Sequence, residues 1–290
     1  DSNLYYTAKI IENPDSPHGY YTVSHDMEYY AKADTSLAVF FTEALKLAAD
    51  DIEDYLEPTF SPDSVVFIVF HAGLGQDFSY PSLDPTIYDL KSAYIDKEMM
   101  QGVTPTVIFN DSIYTGILLP ETQNIIYYDV VEDIYGNPDY GIDDLCYYQY
   151  GLTGIFAFWL GYELGLPPMF DTESGDPGVG FFGLMDYGFN NGRGVIPAPP
   201  TPWTRIKAGW LDPIVIDPYD GLDININIPP LNISNQVYQI KIAEDEYFLI
   251  ENRNNHIISN YDIKFLQYLL WDDYLCEKCS INCSGLDIDE

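Results

Sequence analysis

The chain has 290 residues, 16% of them aromatic, which is long enough for one large domain or two small ones with a sizeable core. Its 46 acidic and 12 basic residues give a formal net charge of -34. This charge would repel phosphate, so the composition argues against nucleic acid and anionic membranes as partners and favours cations or basic partners. No apolar run reaches the about 18 residues that a membrane span needs, so we expect no membrane span.

The first predicted helix begins at Asp34, whose side chain is expected to cap it. Apolar residues recur at helical spacing from Leu37 to Tyr55. Because proline disfavours helical backbone at the residue before it, the helix should end near Leu56, ahead of Pro58.

A strand is predicted over residues 64–70, which read SVVFIVF. A short continuous run of apolar and β-branched residues is typical of a strand that is buried on both faces. The segment HAGLGQD, residues 71–77, follows directly, and its two glycines predict a turn.

Short strands and turns are predicted between residues 108 and 131, followed by a helix from Asp143 to about Leu164. Residues 171–194 are rich in glycine and are predicted to be irregular. The remaining predicted elements are a proline-rich connector over residues 197–202, a short helix near residues 203–211, and strands over residues 221–228, 237–242 and 246–251.

The predicted helix 143–164 carries FWLGY at residues 158–162, and GLPPMFD follows at residues 165–171. A zinc-peptidase helix normally carries HExxH, in which two histidines one turn apart hold Zn²⁺ and the glutamate is the general base. Phe158, Trp159 and Tyr162 stand at those places. The segment after them resembles the GLPDLYD of secreted zinc peptidases of the immune inhibitor A family, with Pro168 where the third candidate ligand, an aspartate, would be.

Four further segments resemble elements of the same family, in the family's order along the chain. The segment GLMDYG resembles the family's turn with a methionine beneath the metal, and EYFLIENR resembles a strand of the family. The four segments are HAGLGQD with its preceding strand, GLMDYG at residues 183–188, WTRIKAGWL at residues 203–211 and EYFLIENR at residues 246–253. The resemblance covers about residues 19–253. From about residue 254 onward the chain cannot be placed on the family's pattern.

The resemblance implies an α+β, metzincin-like zinc-peptidase fold with a mixed sheet, an active-site-type helix and a β-rich C-terminal part. It further implies a metallopeptidase-like domain over residues 1–212. Residues 213–290 are then expected to form a β-rich C-terminal extension, either separate from that domain or part of it.

The replaced residues predict a catalytically inactive homologue. Phe158 has no lone pair for a metal, Pro168 has no side-chain donor, and Tyr162, with a pKa of about 10, would be one weak ligand. Trp159, at the place of the glutamate, cannot accept a proton from water, so the general base is missing as well. Phe158 and Tyr162 lie one helical turn apart, so their rings are expected to fill the space of the metal and its ligands. We therefore expect no zinc, and a protein with a binding, structural or self-assembly role.

The alternative is an active secreted metalloendopeptidase with a rearranged metal site. Such a site would draw on His71, Asp171, Glu173 or Asp176. Asp171, Glu173 and Asp176, with Asp186, also flank glycines in the loop after the helix, where carboxylates suit Ca²⁺. A calcium site there and a set of solvated loop carboxylates both stay open.

The cysteines and the glycosylation sequons indicate the cellular compartment in which the protein is expected. Cys146, Cys276, Cys279 and Cys283 allow two disulfides under oxidising conditions, and a thiolate metal site is the alternative for this CxxC cluster. The candidate N-glycosylation sites are Asn110, Asn232 and Asn282. These features favour an extracellular or cell-surface location, where the 26 tyrosines offer contact area for a protein partner or for self-association.

Overall fold

The computed structural model describes residues 8–77, 87–123, 125–132, 138–148, 151–192, 194–218, 225–231 and 233–253; of residues 34, 35, 63, 125–132 and 138–148 it describes the backbone alone. The chain divides into two compact units, Asp1–Gln123 and Asn124–Glu290. Each unit combines short helices with small sheets, so the protein is of mixed α and β class. The boundary that the sequence predicts after residue 212 stays a prediction.

Three helices open the first unit: α1 (Met27–Tyr30), α2 (Asp34–Leu47) and α3 (Ala49–Glu53). The apolar face of α2 lies in the core of this unit, where Leu37, Ala38, Phe41 and Leu45 are buried. The predicted helix is thereby confirmed, with a break at Ala48. The predicted cap is wrong, because the extended residue Ala33 occupies the N-cap position and Asp34 is already helical.

The main sheet of the first unit consists of β1 (Ile68–Leu74), β2 (Ala93–Ile95) and β5 (Gly116–Thr122), in the order β1-β5-β2. Strand β5 runs parallel to β1 and antiparallel to β2. A separate hairpin joins β3 (Thr106–Ile108) to β4 (Asp111–Ile113). The middle strand β5 is buried over its first five residues, so it forms the centre of the sheet.

Strand β1 differs from the prediction in position and in burial. It begins at Ile68 rather than at residue 64, because the 3₁₀ turn Pro62–Ser64 precedes it, and it includes the segment HAGL. The ladder shifts register between His71 and Leu74, and Gly73 has a φ of 89°, so this glycine marks a bulge and not a chain reversal. Among the described strands β1 pairs with β5 alone, and Phe70 on this edge is 61% exposed.

The second unit opens with the antiparallel strands β6 (Ile125–Glu132) and β7 (Pro138–Tyr148). Strand β7 occupies residues for which the sequence predicts the first two turns of a helix, so that boundary is wrong. Helix α4 extends only over Leu152–Glu163, with Gly151 at its N-cap position. The tyrosines and leucine at the end of β7 favour a strand once β6 offers them a partner.

The end of the described chain is β-rich, as predicted. Strands β8 (Ile214–Ile216), β9 (Tyr238–Lys241) and β10 (Tyr247–Ile250) form a sheet in the order β10-β9-β8, in which β9 and β10 are the predicted pair. Residues 225–228 are not a strand, because β8 takes the place beside β9. Pro229 and Pro230, which follow those residues, also lack the N–H groups that a ladder needs.

The predicted short helix is confirmed as α5 (Pro202–Lys207). Thr201 caps it, since its hydroxyl accepts the Thr204 N–H at 3.1 Å, and Pro202 stands in the first turn, where its missing N–H costs nothing. None of the described helices, α4 and α5 included, is both long and apolar enough to cross a bilayer.

Candidate functional site

Helix α4 buries the face that carries Phe158. Gly154, Ile155, Phe158 and Gly161 are the buried residues, and they are spaced as one face of a helix. The helix ends in a Schellman motif, in which the Gly165 N–H bonds the Tyr162 carbonyl and the Leu166 N–H bonds the Gly161 carbonyl, both at 2.9 Å. Gly165 permits this turn because its φ is 74°.

Phe158 lies at the centre of an aromatic cluster and is 4% exposed. Its ring centroid is 4.9 Å from Trp159 and 5.2 Å from Tyr162, both edge-on, and 4.8 Å from Phe189. Phe170, from the segment after the helix, stacks at 6.3 Å. These separations fall in the range in which aromatic pairs attract each other, so the rings pack against one another, and that they fill the place of a metal and its ligands stays a prediction.

Two glycines let α4 approach the segments packed against it. A Cβ atom on Gly161 would lie 2.4 Å from the sulfur of Met185, which is fully buried. A Cβ atom on Gly154 would lie 1.8 Å from the carbonyl oxygen of Phe189. Met185 is the methionine of the GLMDYG segment, and it lies against α4 at Gly161, which is next to Tyr162 in the sequence and two residues after Trp159.

The side chains of this site do not fit a zinc ion. Phe158 presents a hydrocarbon ring, the indole nitrogen of Trp159 is an N–H donor with no free lone pair, and the half-buried Pro168 has no donor atom in its side chain. Tyr162 is the one oxygen donor among the four replaced positions, and burial raises the pKa of its phenol above the ordinary value. A phenol that keeps its proton is a poor ligand, so a hydrolytic zinc site lacks its protein ligands here.

Asp186 is buried, and its carboxyl group holds the surrounding loop through hydrogen bonds. One of its oxygens accepts the N–H groups of Gly178, Val179 and Gly180 at 2.7 to 2.9 Å, and the other accepts the N–H of Tyr187 at 2.7 Å. Four backbone N–H donors thus satisfy a fully buried carboxyl group and fix the loop on both sides of it. These bonds occupy the lone pairs that a calcium ion would use.

The other three acidic residues of this loop are exposed to solvent. Asp171 accepts the backbone N–H groups of Glu173 and Ser174 at 2.8 and 3.0 Å, and hydrogen bonds from these backbone groups lower its pKa. The Glu173 and Asp176 side chains point into solvent. Within the described ranges no group of three His, Cys, Asp or Glu side chains is arranged to hold a metal ion, and the calcium site stays a prediction.

His71, the histidine considered for a rearranged site, belongs to the first unit and is buried. Its Nδ1 lies 3.0 Å from the Ala72 carbonyl and its Nε2 lies 3.1 Å from the Leu90 carbonyl. Burial lowers the pKa of the imidazole, and the two carbonyl contacts oppose that shift. Both ring nitrogens therefore face backbone oxygen atoms in the core of this unit, and neither is directed at solvent.

Several predicted positions have little or no structural description. The backbone of Cys146 lies in β7, while Cys276, Cys279, Cys283, Asn232 and Asn282 lie outside the described residues. Asn110 is exposed in the turn between β3 and β4, an accessible position for an N-glycan.

Phe170 and Phe189 complete the aromatic cluster and did not emerge from the sequence as site residues. The signal that could have pointed to them is the pair Gly154 and Gly161, seven residues and two turns apart on one helix face. Small residues in that register indicate that another segment lies close to the helix. No protein-family model, no curated protein and no solved structure matches this chain.

Proposed function

We propose that this protein is a catalytically inactive homologue of secreted zinc metallopeptidases of the immune inhibitor A type, with a metzincin-like fold. The observation that carries the proposal is the aromatic cluster around Phe158, on the face of α4 where zinc ligands would be. The role that remains for such a scaffold is binding or assembly outside the cell or at its surface.

The mutual arrangement of the elements that resemble the family supports this reading. Met169, in the segment after α4, donates its N–H to the carbonyl of Met185 in GLMDYG at 2.8 Å. Arg205 of α5 forms a buried ion pair with Glu251, which follows β10. Arg253 then bonds the carbonyl of Phe182, one residue before GLMDYG. Within the second unit, GLPPMFD thus contacts GLMDYG, α5 contacts the segment EYFLIENR, and that segment bonds the residue next to GLMDYG.

Hydrolysis by a zinc peptidase needs a metal that acidifies a water molecule and a base that takes its proton. The positions of the metal ligands hold Phe158 and Tyr162, and the position of the base holds Trp159, whose indole N–H donates and does not accept. The residues present therefore supply neither the metal ligands nor the base.

An endopeptidase assay tests the proposal. Purified full-length protein is incubated with casein at neutral pH, with added Zn²⁺ and in parallel with a chelator. We expect no cleavage above a heat-inactivated sample under either condition. Cleavage that the chelator abolishes would contradict the proposal and establish the alternative, a peptidase with a rearranged metal site.

A further inference from the structure

Three aromatic side chains stand out on the surface beside the aromatic cluster. Phe181 is 58% exposed, Phe182 is 74% exposed and Tyr187 is 37% exposed. The rings of Phe181 and Tyr187 are 6.1 Å apart, so they form a continuous patch. Large apolar side chains that are exposed together, and not singly, mark interaction sites.

The backbone that carries these rings is held firmly. Asp186 binds the N–H groups immediately before Phe181, and the side-chain amide of Asn191 donates to the Phe181 carbonyl at 3.0 Å. The guanidinium of Arg253 donates to the Phe182 carbonyl and is itself paired with Glu251 at 2.6 Å. A surface fixed in this way loses little conformational freedom when a partner binds.

The same patch has an acidic border. The Tyr187 hydroxyl donates to the carbonyl of Gly175 at 2.5 Å, which joins the loop with Asp171, Glu173 and Asp176 to the Tyr187 side of the patch. All three carboxylates are exposed. The sequence from residue 165 to residue 192 contains no Lys, Arg or His, so no basic side chain of this segment neutralises them.

We propose that Phe181, Phe182 and Tyr187, bordered by Asp171, Glu173 and Asp176, form a docking surface for a basic, apolar segment of a partner protein. Arginine or lysine side chains of the partner lie over the rings or pair with the border carboxylates, and its apolar side chains cover the phenylalanines. A second copy of this chain, with a net charge of -34, is a poor occupant because the two copies repel each other. The proposal rests on the proposed function, since it takes this scaffold as a binding protein.

Fluorescence anisotropy with the full chain and labelled peptides tests the surface. The probes are a peptide of alternating arginine and leucine and two peptides of the same length, one of glutamate and leucine and one of arginine and serine. We expect the arginine–leucine peptide to bind, the arginine–serine peptide to bind more weakly, and the glutamate–leucine peptide not to bind. Added salt should weaken the binding, because screening reduces the attraction of the carboxylates.

Variants locate the binding on the molecule. The double variant Phe181→Ser/Phe182→Ser should lose at least about tenfold in affinity for the arginine–leucine peptide, as expected for central aromatic contacts. The triple variant Asp171→Asn/Glu173→Gln/Asp176→Asn should reduce both the affinity and its salt dependence. Phe248→Ser is the matched control, because Phe248 is 64% exposed in β10 and lies outside the patch. Circular dichroism verifies that each variant is folded.

Unchanged affinity in the folded Phe181→Ser/Phe182→Ser variant would overturn the proposal, and so would an equal loss in Phe248→Ser or equal binding of the glutamate–leucine peptide. The result of the peptide-binding experiment is independent of the result of the casein assay. Peptidase activity contradicts the proposed function whatever the peptides do, whereas an inactive protein that binds none of the peptides loses the docking surface alone.

Discussion

Phe158 contacts the rings of four other aromatic residues and is almost completely buried. A side chain in this position contributes through burial of apolar area and through edge-on ring contacts, both of which stabilise the fold. A residue kept for metal binding would be polar and would face an open coordination position. At the scale of the residue, Phe158 is therefore part of the hydrophobic core.

The first prediction concerns the cost of removing this ring. Phe158→Ala should destabilise α4 by about 3–5 kcal/mol, because it leaves a cavity among rings that cannot all move inwards. Hydrogen exchange of the α4 amides measures the effect locally. The control is Phe248→Ala at an exposed position, which should change stability by less than about 0.5 kcal/mol. A loss at Phe158 as small as that of the control would mean that the cluster is not a packed core.

The second prediction separates two aspartates of the same loop. Asp186→Ala leaves four backbone N–H groups without an acceptor, and we expect a loss of about 3 kcal/mol, since hydrogen bonds to a buried charge are among the strong ones. Asp171→Ala should cost much less, because its carboxylate is exposed and water replaces it. Urea unfolding of both variants measures the difference. Equal losses would show that the two carboxylates play equivalent parts.

The aromatic residues of α4 and the buried Asp186 differ in how far the sequence predicts their roles. The absence of metal ligands at Phe158, Trp159 and Tyr162 is a matter of residue type and follows from the sequence. The role of Asp186 depends on the conformation of the loop. The loop folds back so that the N–H groups of residues 178–180 all bond one carboxylate oxygen of Asp186. Such a backbone geometry has no local signature beyond the surrounding glycines, so the sequence presents Asp186 as one more acidic residue.

At the scale of the element, α4 contains two glycines, although glycine is an unfavourable residue inside a helix. Glycine inside a helix costs about 1 kcal/mol relative to alanine. Gly154 and Gly161 are tolerated because each faces a neighbouring segment at a distance that leaves no room for a Cβ atom. The obstacles differ, however, since Gly154 meets a backbone carbonyl and Gly161 meets the end of a methionine side chain.

The third prediction follows from that difference. Gly154→Ala should destabilise the protein more than Gly161→Ala, because a methionine side chain adjusts more easily than the backbone at Phe189. We expect the first variant to lose at least about 2 kcal/mol and the second to lose less, since the gain in helix propensity offsets part of its strain. Thermal unfolding of the two variants measures this order. A Gly154→Ala variant more stable than the wild-type chain would refute the packing of α4 described here.

Several elements follow from local apolar spacing, whereas elements whose pairing depends on distant segments do not. Helix α2 and strands β9 and β10 follow from the spacing of their apolar residues, and the structure confirms them. The predicted start of α4 is wrong because residues 145–148 pair with β6, and the tyrosines of β7 do not reveal this long-range pairing in the sequence. The position of β1 at a sheet edge likewise depends on which strands pair, and not on its own sequence.

At the scale of the whole molecule, the net charge of -34 sets the response to salt. Like charges on one chain repel each other and destabilise the compact state. The fourth prediction is that the melting temperature rises with NaCl, most steeply at low concentration, as the Debye length falls from about 30 Å at 0.01 M to about 10 Å at 0.1 M. Differential scanning calorimetry measures the rise. A melting temperature that is flat or falls over this range would show that self-repulsion is not a significant term.

The central claim is that the fold of a zinc peptidase has been kept while its metal site has become hydrophobic core. Zinc content tests it most directly. The full-length protein is incubated with excess Zn²⁺, passed through gel filtration at high salt to remove ions held loosely by surface carboxylates, and analysed by inductively coupled plasma mass spectrometry. We predict substoichiometric zinc, unchanged in Phe158→Ala. One zinc ion per chain, retained at high salt and removed by a chelator, would contradict the claim.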